Sequence, residues 1–242
     1  MKRLTIAIDD LATLRYLLND NDFDPARFAV LCEVAGAHGL SLTLGNDQRG
    51  IRERDAQFIK KMHKSFLNIH IPPEPQIMKA VLSISPDMVT LVETADSGRA
   101  FSPLPADILQ ETLPEVLPDF HANNISVAAF CTPEINAIKQ LNRARLDYVE
   151  LDCTEYTLAK DSNEELVALD KLNSATLAAA KLGLGVNCYG NIHYLHLPGL
   201  AAIPRLEDIC MGISVIKRAL LVGVDQAIKE ALQQILFYQR EQ

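Results

Sequence analysis

The chain has 242 residues and a formal net charge of −8, a length that suits one large domain or two small ones. The acidic balance gives no broad positive field, so neither nucleic acid nor an anionic membrane surface is expected as a partner. A helix N-terminus can still bind phosphate inside a negative protein. No apolar stretch approaches the roughly 20 residues of a membrane span, and the opening run is too short for a signal peptide.

Cysteine usage bears on the compartment and on metal binding. The five cysteines are scattered and match no CxxC or zinc-ribbon spacing. An odd, dispersed set is typical of reduced thiols in a cytoplasm. We therefore expect a soluble, cytoplasmic protein with no metal site and no cofactor.

The amino-terminal part of the chain begins with an apolar run over residues 4–8, which predicts a strand, and a loop that extends through 19–24. Asp24 and Pro25 predict the start of a helix, because Asp accepts hydrogen bonds from free amides and Pro fits the first turn. Residues 37–39, Ala-His-Gly, end that helix.

The same alternation of strand and helix continues to the end of the chain. Further strands are predicted over 40–44, 66–71, 88–92, 125–130, 148–151, 185–188 and 208–211. Further helices are predicted over 52–64, 74–83, 105–122, 133–144, 163–182 and 197–203, with a last long helix over 213–238. About eight apolar strands, each followed by a helix, predict an α/β fold: a (β/α)8 TIM barrel forming a single domain over residues 1–242.

Polar side chains at the strand ends are the candidates for chemistry, because active sites of such barrels lie at the carboxyl ends of the strands. Residues two apart on a strand share a face, so Asp9, His70, Glu150 and Asp152 are expected to converge on one mouth. Carboxylates beside an imidazole suit acid–base catalysis. The same groups could hold a divalent cation, although no spacing such as HExxH is present. They could also simply cap backbone groups and face water.

A second candidate site follows the last predicted strand, at Gly212, Ile213 and Ser214. Barrels often bind phosphate at a helix N-terminus in this position, where free amides and the helix dipole complement an anion. An ordinary turn capped by Ser214 would have the same sequence.

Five segments in order resemble the pyridoxine 5'-phosphate synthase family. They are residues 8–15, 47–55, 182–187, 201–204 and 212–223. The resemblance covers essentially the whole chain and implies a TIM barrel that needs no metal and assembles into homo-oligomers. It also implies condensation of 1-deoxyxylulose 5-phosphate with an amino-oxopropyl phosphate, with a glutamate and two histidines as proton carriers.

This chain departs from the family at those proton carriers. The expected glutamate is His70, and the two expected histidines are Thr43 and Gly190. The Gly-His pair of the distal phosphate site is Gly212-Ile213. Family residues that are retained include Asp9, Arg15, Arg49, Glu150, Asn187 and Gly212. Since all three proton carriers are replaced together, the parent condensation is not expected.

Three functions stay open at this point. The first is a divergent enzyme that binds and acts on a small phosphorylated metabolite at the mouth, with His70, Glu150, Asp152 and Asp9 as candidate acid–base groups. Gly212, Ile213, Ser214 and Arg49 are then the candidate phosphate ligands. The second is a non-catalytic relative that binds a metabolite or a partner through the mouth. The third is an interaction protein built on a homo-oligomer, with apolar residues near the C-terminus, such as Phe237, available for contact.

Overall fold

The structure is a computed structural model that describes residues 1–19, 24–45, 50–94, 101–104 and 106–239. Its strands are β1 (Arg3–Ala7), β2 (Gly39–Thr43), β3 (Phe66–Ile71), β4 (Met88–Leu91), β5 (Glu93–Thr94), β6 (Phe101–Ser102), β7 (Ser126–Cys131), β8 (Tyr148–Asp152), β9 (Gly185–Tyr189) and β10 (Asp208–Met211). Its helices are α1 (Asp9–Leu18), α2 (Pro25–Val34), α3 (Glu53–Met62), α4 (Pro75–Ile84), α5 (Ala106–Ala122), α6 (Ile135–Arg143), α7 (Thr154–Thr157), α8 (Ser162–Lys181), α9 (Leu197–Ala202), α10 (Ile213–Val222) and α11 (Val224–Tyr238).

Eight parallel strands close into a barrel in the order β1-β10-β9-β8-β7-β4-β3-β2, which confirms the predicted TIM barrel. The two short strands β5 and β6 pair antiparallel outside the barrel. They form a hairpin between β4 and α5, at the carboxyl end of the barrel. In the described part of the chain, no helix is long and apolar enough to span a membrane.

The predicted start of α2 is confirmed. The Asp24 side chain accepts a hydrogen bond from the Ala26 amide at 2.9 Å, and Pro25 occupies the first turn. Because this cap satisfies an amide that has no partner within the helix, it fixes where the helix begins.

Two predictions about the helices were wrong. Residues 9–18, expected as part of a loop, form α1, which buries Leu11, Ala12 and Arg15 along one side. The long helix expected over 213–238 is two helices, α10 and α11, separated by Gly223 at φ 85°. A positive φ is open to glycine at little cost and is incompatible with a continuing right-handed helix.

The barrel wall is apolar on the outside, and many of the side chains that point inward are polar. Outward side chains such as Leu4 and Leu42 belong to the continuous core between strands and helices. The buried polar residues on the barrel strands include Thr5, Ser41, Asn68, His70, Thr90, Glu150, Asn187 and Asp208. A barrel interior normally packs branched apolar side chains. Here separate hydrogen-bonded groups, such as Thr90 with Asn68 at 3.0 Å and Thr5 with Asp208 at 2.7 Å, fill part of that space.

Candidate functional site at the carboxyl end of the barrel

The most deeply buried polar contact at the mouth joins β3 to β8. His70 Nε2 lies 2.5 Å from Glu150 Oε2, and His70 Nδ1 lies 2.9 Å from the Ser41 hydroxyl on β2. His70 is 0% and Glu150 1% exposed. Strands β3 and β8 are not neighbours, so this contact crosses the barrel interior. Both imidazole nitrogens are therefore engaged inside the protein.

The electrostatics favour a charged pair. Burial by itself lowers the pKa of His70, but the Glu150 carboxylate, its hydrogen bond and the nearby Asp9 outweigh burial and raise that pKa above its ordinary value. An imidazolium that donates to a carboxylate in a low-dielectric interior is held strongly in place.

Aromatic rings cover this pair. Phe101, from the β5–β6 hairpin, stacks on His70 with ring centroids 4.8 Å apart and on Tyr189 with centroids 4.7 Å apart. Phe130 meets Phe101 edge-on at 5.3 Å. Of the four rings, only Phe101 is not carried by a barrel strand. The aromatic cluster of His70, Phe101, Phe130 and Tyr189 thus separates the His70–Glu150 pair from solvent.

Asp9 lies beside this cluster at the end of β1. Its Oδ1 accepts the Thr43 amide at 2.7 Å, whereas its buried Oδ2 has no hydrogen-bond partner among the described residues. Burial, the largest influence, raises the pKa of the Asp9 carboxyl. An unsatisfied buried carboxylate oxygen is costly, so this position suits a donor supplied by a ligand.

Asp152 is directed elsewhere. Its Oδ1 accepts from the amide and the hydroxyl of Thr154 at 2.8 and 2.5 Å, at the start of α7. Among the described residues, no hydrogen bond joins Asp152 to His70 or Glu150. The structure thus brings together His70 and Glu150, with Asp9 close by, while Asp152 bonds to Thr154, the first residue of α7.

The candidate phosphate site has a clear geometry around Gly212, which precedes α10. The first amides of α10, those of Ile213 and Ser214, have no acceptor in their own helix. The Ser214 hydroxyl donates to the Ile192 carbonyl at 2.6 Å, so its proton is already used. A Cβ on Gly212 would lie 4.0 Å from Asp10 Oδ2, which places a carboxylate next to the same helix start. Arg49 lies outside the described residues.

Sequence reasoning missed three residues of the site: Ser41, Phe101 and Phe130. Ser41 lies two residues before Thr43 on the same face of β2, so strand alternation could have placed it inside the barrel. Phe101 could not be found in this way, because the two-residue strands of a hairpin outside the barrel are too short to show an alternation of apolar and polar residues.

In the described part of the chain, no group of three or more His, Cys, Asp or Glu side chains could hold a metal.

Cys131, at the end of β7 near the mouth, is a poor nucleophile. All five cysteines are free and buried. Burial, with a smaller contribution from Glu150 and Asp152, raises the pKa of the Cys131 thiol to about 12. Because the thiolate is the reactive form, a thiol with such a pKa is inert near neutral pH.

Fold and site together define a TIM-barrel protein with a buried acid–base pair beneath its carboxyl-end mouth. The family described as "Pyridoxal phosphate biosynthesis protein PdxJ" matches residues 4–236. The chain belongs to this family.

Relatives at about 30% identity span the whole chain. A pyridoxine 5'-phosphate synthase of Geobacter metallireducens is 31% identical and covers 98% of this chain and 100% of its own length. The enzyme of the same name from Syntrophobacter fumaroxidans is 34% identical, over 96% of this chain and 98% of its own.

Solved structures share the fold at much lower identity. KGPDC from Streptococcus mutans superposes with a TM-score of 0.64 at 10% identity, covering 98% of this chain and 99% of its own. The 3-hexulose-6-phosphate synthase of Salmonella typhimurium superposes with a TM-score of 0.65 at 10% identity, covering 98% of this chain and 99% of its own. These likenesses concern the barrel alone.

Proposed function

We propose that this PdxJ-family chain binds a small phosphorylated metabolite at the carboxyl-end mouth and does not perform the family condensation. The proposal rests mainly on the observation that the His70 ring is inaccessible to a ligand. Both of its nitrogens are hydrogen-bonded inside the barrel, and Phe101 covers its ring. A proton carrier must reach the reacting atoms of its substrate. Among the described residues, the side-chain partners of the His70 nitrogens are Ser41 and Glu150.

The ligand class follows from two features of the mouth. The start of α10 offers free amides and a glycine, which suit a phosphate group. Asp9 Oδ2 lacks a donor among the described residues, which suits a hydroxyl or amine on the same ligand. The family relatives are named for a phosphorylated product.

The binding half is tested by titrating inorganic phosphate into the chain in a calorimeter and comparing Asp10→Asn with the unchanged chain. Removing a carboxylate beside Gly212 should tighten phosphate binding, since like charge opposes the anion. Asp119→Asn, an exposed position on α5, is the matched control and should leave the affinity unchanged. Equal affinity for all three proteins would place the phosphate elsewhere.

The catalytic half is tested separately with the two family substrates. We expect no formation of pyridoxine 5'-phosphate above a control without enzyme. Turnover that disappears in His70→Ala, while that variant stays folded, would overturn this half and identify a divergent enzyme. The phosphate titration would be unaffected by that outcome.

A homo-oligomer is a further part of the proposal. Of the apolar side chains near the C-terminus, Ile235 is buried in the core and Phe237 is 58% exposed. On α10, Leu220 and Leu221 are 80% and 78% exposed. Such side chains suit a contact between copies, and sedimentation velocity of the purified chain would give the assembly size.

A further inference from the structure

A cavity of about 750 Å³ lies at the face of the barrel opposite the mouth. We call it the amino-terminal pocket, because its walls come from the segments that enter β1 and β10. Its lining includes Lys2, Arg3, Arg205, Leu206, Glu207 and Gln239. Its volume is within the range of pockets that hold small molecules, about 300–1,000 Å³.

The charge of this pocket is opposite to that of the whole protein. Three cationic side chains, Lys2, Arg3 and Arg205, line it beside one carboxylate, Glu207. The chain as a whole carries −8. Even with Asp208 counted against Arg3, positive charge is in excess. A concave site of one sign concentrates ions of the opposite sign.

Two of these cations lack a counter-ion. Among the described residues, neither Lys2 nor Arg205 forms an ion pair. Lys2 is half-buried, and burial lowers the pKa of its ammonium. An anion in the pocket would compensate that loss of hydration. Arg205 is exposed and has φ 67°, a conformation that a residue with a side chain rarely adopts.

Arg3 is held rigidly at the pocket wall. Its guanidinium carbon lies 4.7 Å from the ring centroid of Phe66, and its Nε lies 3.8 Å from Asp208 Oδ2, beyond hydrogen-bond length. Its Nε and Nη2 are buried and have no hydrogen-bond partner among the described residues. The Arg3 side chain is 30% exposed while Asp208 is only 3% exposed, so it is Arg3 that presents its charge to the pocket.

We propose that the amino-terminal pocket binds a small soluble molecule carrying a phosphate or pyrophosphate group, at a site separate from the mouth. Lys2 and Arg205 supply the mobile charges, and Arg3 supplies a fixed planar cation that suits phosphate oxygens.

The test uses inorganic pyrophosphate as the probe, titrated calorimetrically into the full chain at low ionic strength. Lys2→Gln combined with Arg205→Gln should weaken binding by roughly tenfold or more, because two charge-assisted contacts are lost. The single change Arg205→Gln affects an exposed side chain, so it keeps the test valid if the double variant folds poorly. Lys79→Gln combined with Lys139→Gln removes the same charge from exposed positions on α4 and α6 and should change affinity little.

The crystal structure of the chain grown with pyrophosphate would show where this anion binds. Density beside Lys2 and Arg205 is the expected result. Density confined to the start of α10, equal weakening by the control pair, or no heat from the unchanged chain would each overturn the proposal.

Discussion

The buried pair of His70 and Glu150 makes a quantitative prediction for Glu150→Gln. The substitution keeps the volume of the side chain and an oxygen that can accept from His70 Nε2, but it removes the negative charge. Both groups are at most 1% exposed, so solvent cannot replace the lost partner. Breaking a buried ion pair by removing one partner costs about 3–5 kcal/mol. Because Gln preserves an acceptor, we expect the free energy of unfolding to fall by about 3 kcal/mol near pH 6, the lower end of that range.

The pH dependence of this loss has a defined direction. The folded-state pKa of His70 is raised above the unfolded value of about 6.5. The pair therefore contributes its full stability below about pH 6.5, and the contribution is lost as pH rises through the raised folded-state pKa. The difference in the free energy of unfolding between the unchanged chain and Glu150→Gln should be largest at mildly acidic pH and smaller at alkaline pH.

The assay is urea denaturation across this pH range, with NMR titration of the His70 ring in both proteins. The matched control is Glu155→Gln, which breaks an exposed pair with Lys171 at 2.9 Å and should leave the free energy of unfolding nearly unchanged. Equal effects of the two substitutions, or an ordinary His70 titration in the unchanged chain, would refute a charged pair in the barrel.

Three further predictions concern other contacts. Phe101→Ala removes the ring stacked on His70, so diethyl pyrocarbonate should modify that imidazole faster, as followed by peptide mass spectrometry. Asp55→Asn breaks the buried pair with Arg15 at 2.7 Å and should cost about 3 kcal/mol at pH 7 in urea denaturation. Although burial opposes it, Arg15 lowers the pKa of Asp55, so this loss should shrink as pH falls through that lowered value. Gly185→Ala would drive a Cβ into the ring of Tyr148 and should reduce the free energy of unfolding, measured in urea, by about 1–3 kcal/mol.

The barrel itself could be predicted from the sequence, because strands covered on both sides alternate with helices over the whole length. Helix α1 was predictable too: its buried residues Leu11, Ala12 and Arg15 recur at helical spacing. The acidic residues of its first turn, Asp9 and Asp10, were instead interpreted as strand-end residues with a possible chemical role. The break at Gly223 could not be read, since apolar periodicity continues through it and an interior glycine costs only about 1 kcal/mol.

The candidate site was predictable in part. Strand alternation placed His70 and Glu150 at one mouth, and they do lie together. Their direct contact depends on the order and stagger of non-neighbouring strands, which no local pattern encodes. Asp9 accepts a hydrogen bond from the Thr43 amide, and Asp152 accepts one from the Thr154 amide. The positions of these amides depend on how the loops fold, so the sequence pattern did not predict either contact.

The aromatic cluster also constrains how this chain can change. His70, Phe101 and Tyr189 pack on one another, so the position of each ring depends on the presence of the other two. His70→Glu, which introduces the residue that the family resemblance implies at this position, would set a second carboxyl group against Glu150 in a site from which the rings exclude water, and one of the two would have to keep its proton. Position 70 is therefore expected to change only together with Glu150 and the rings that cover it.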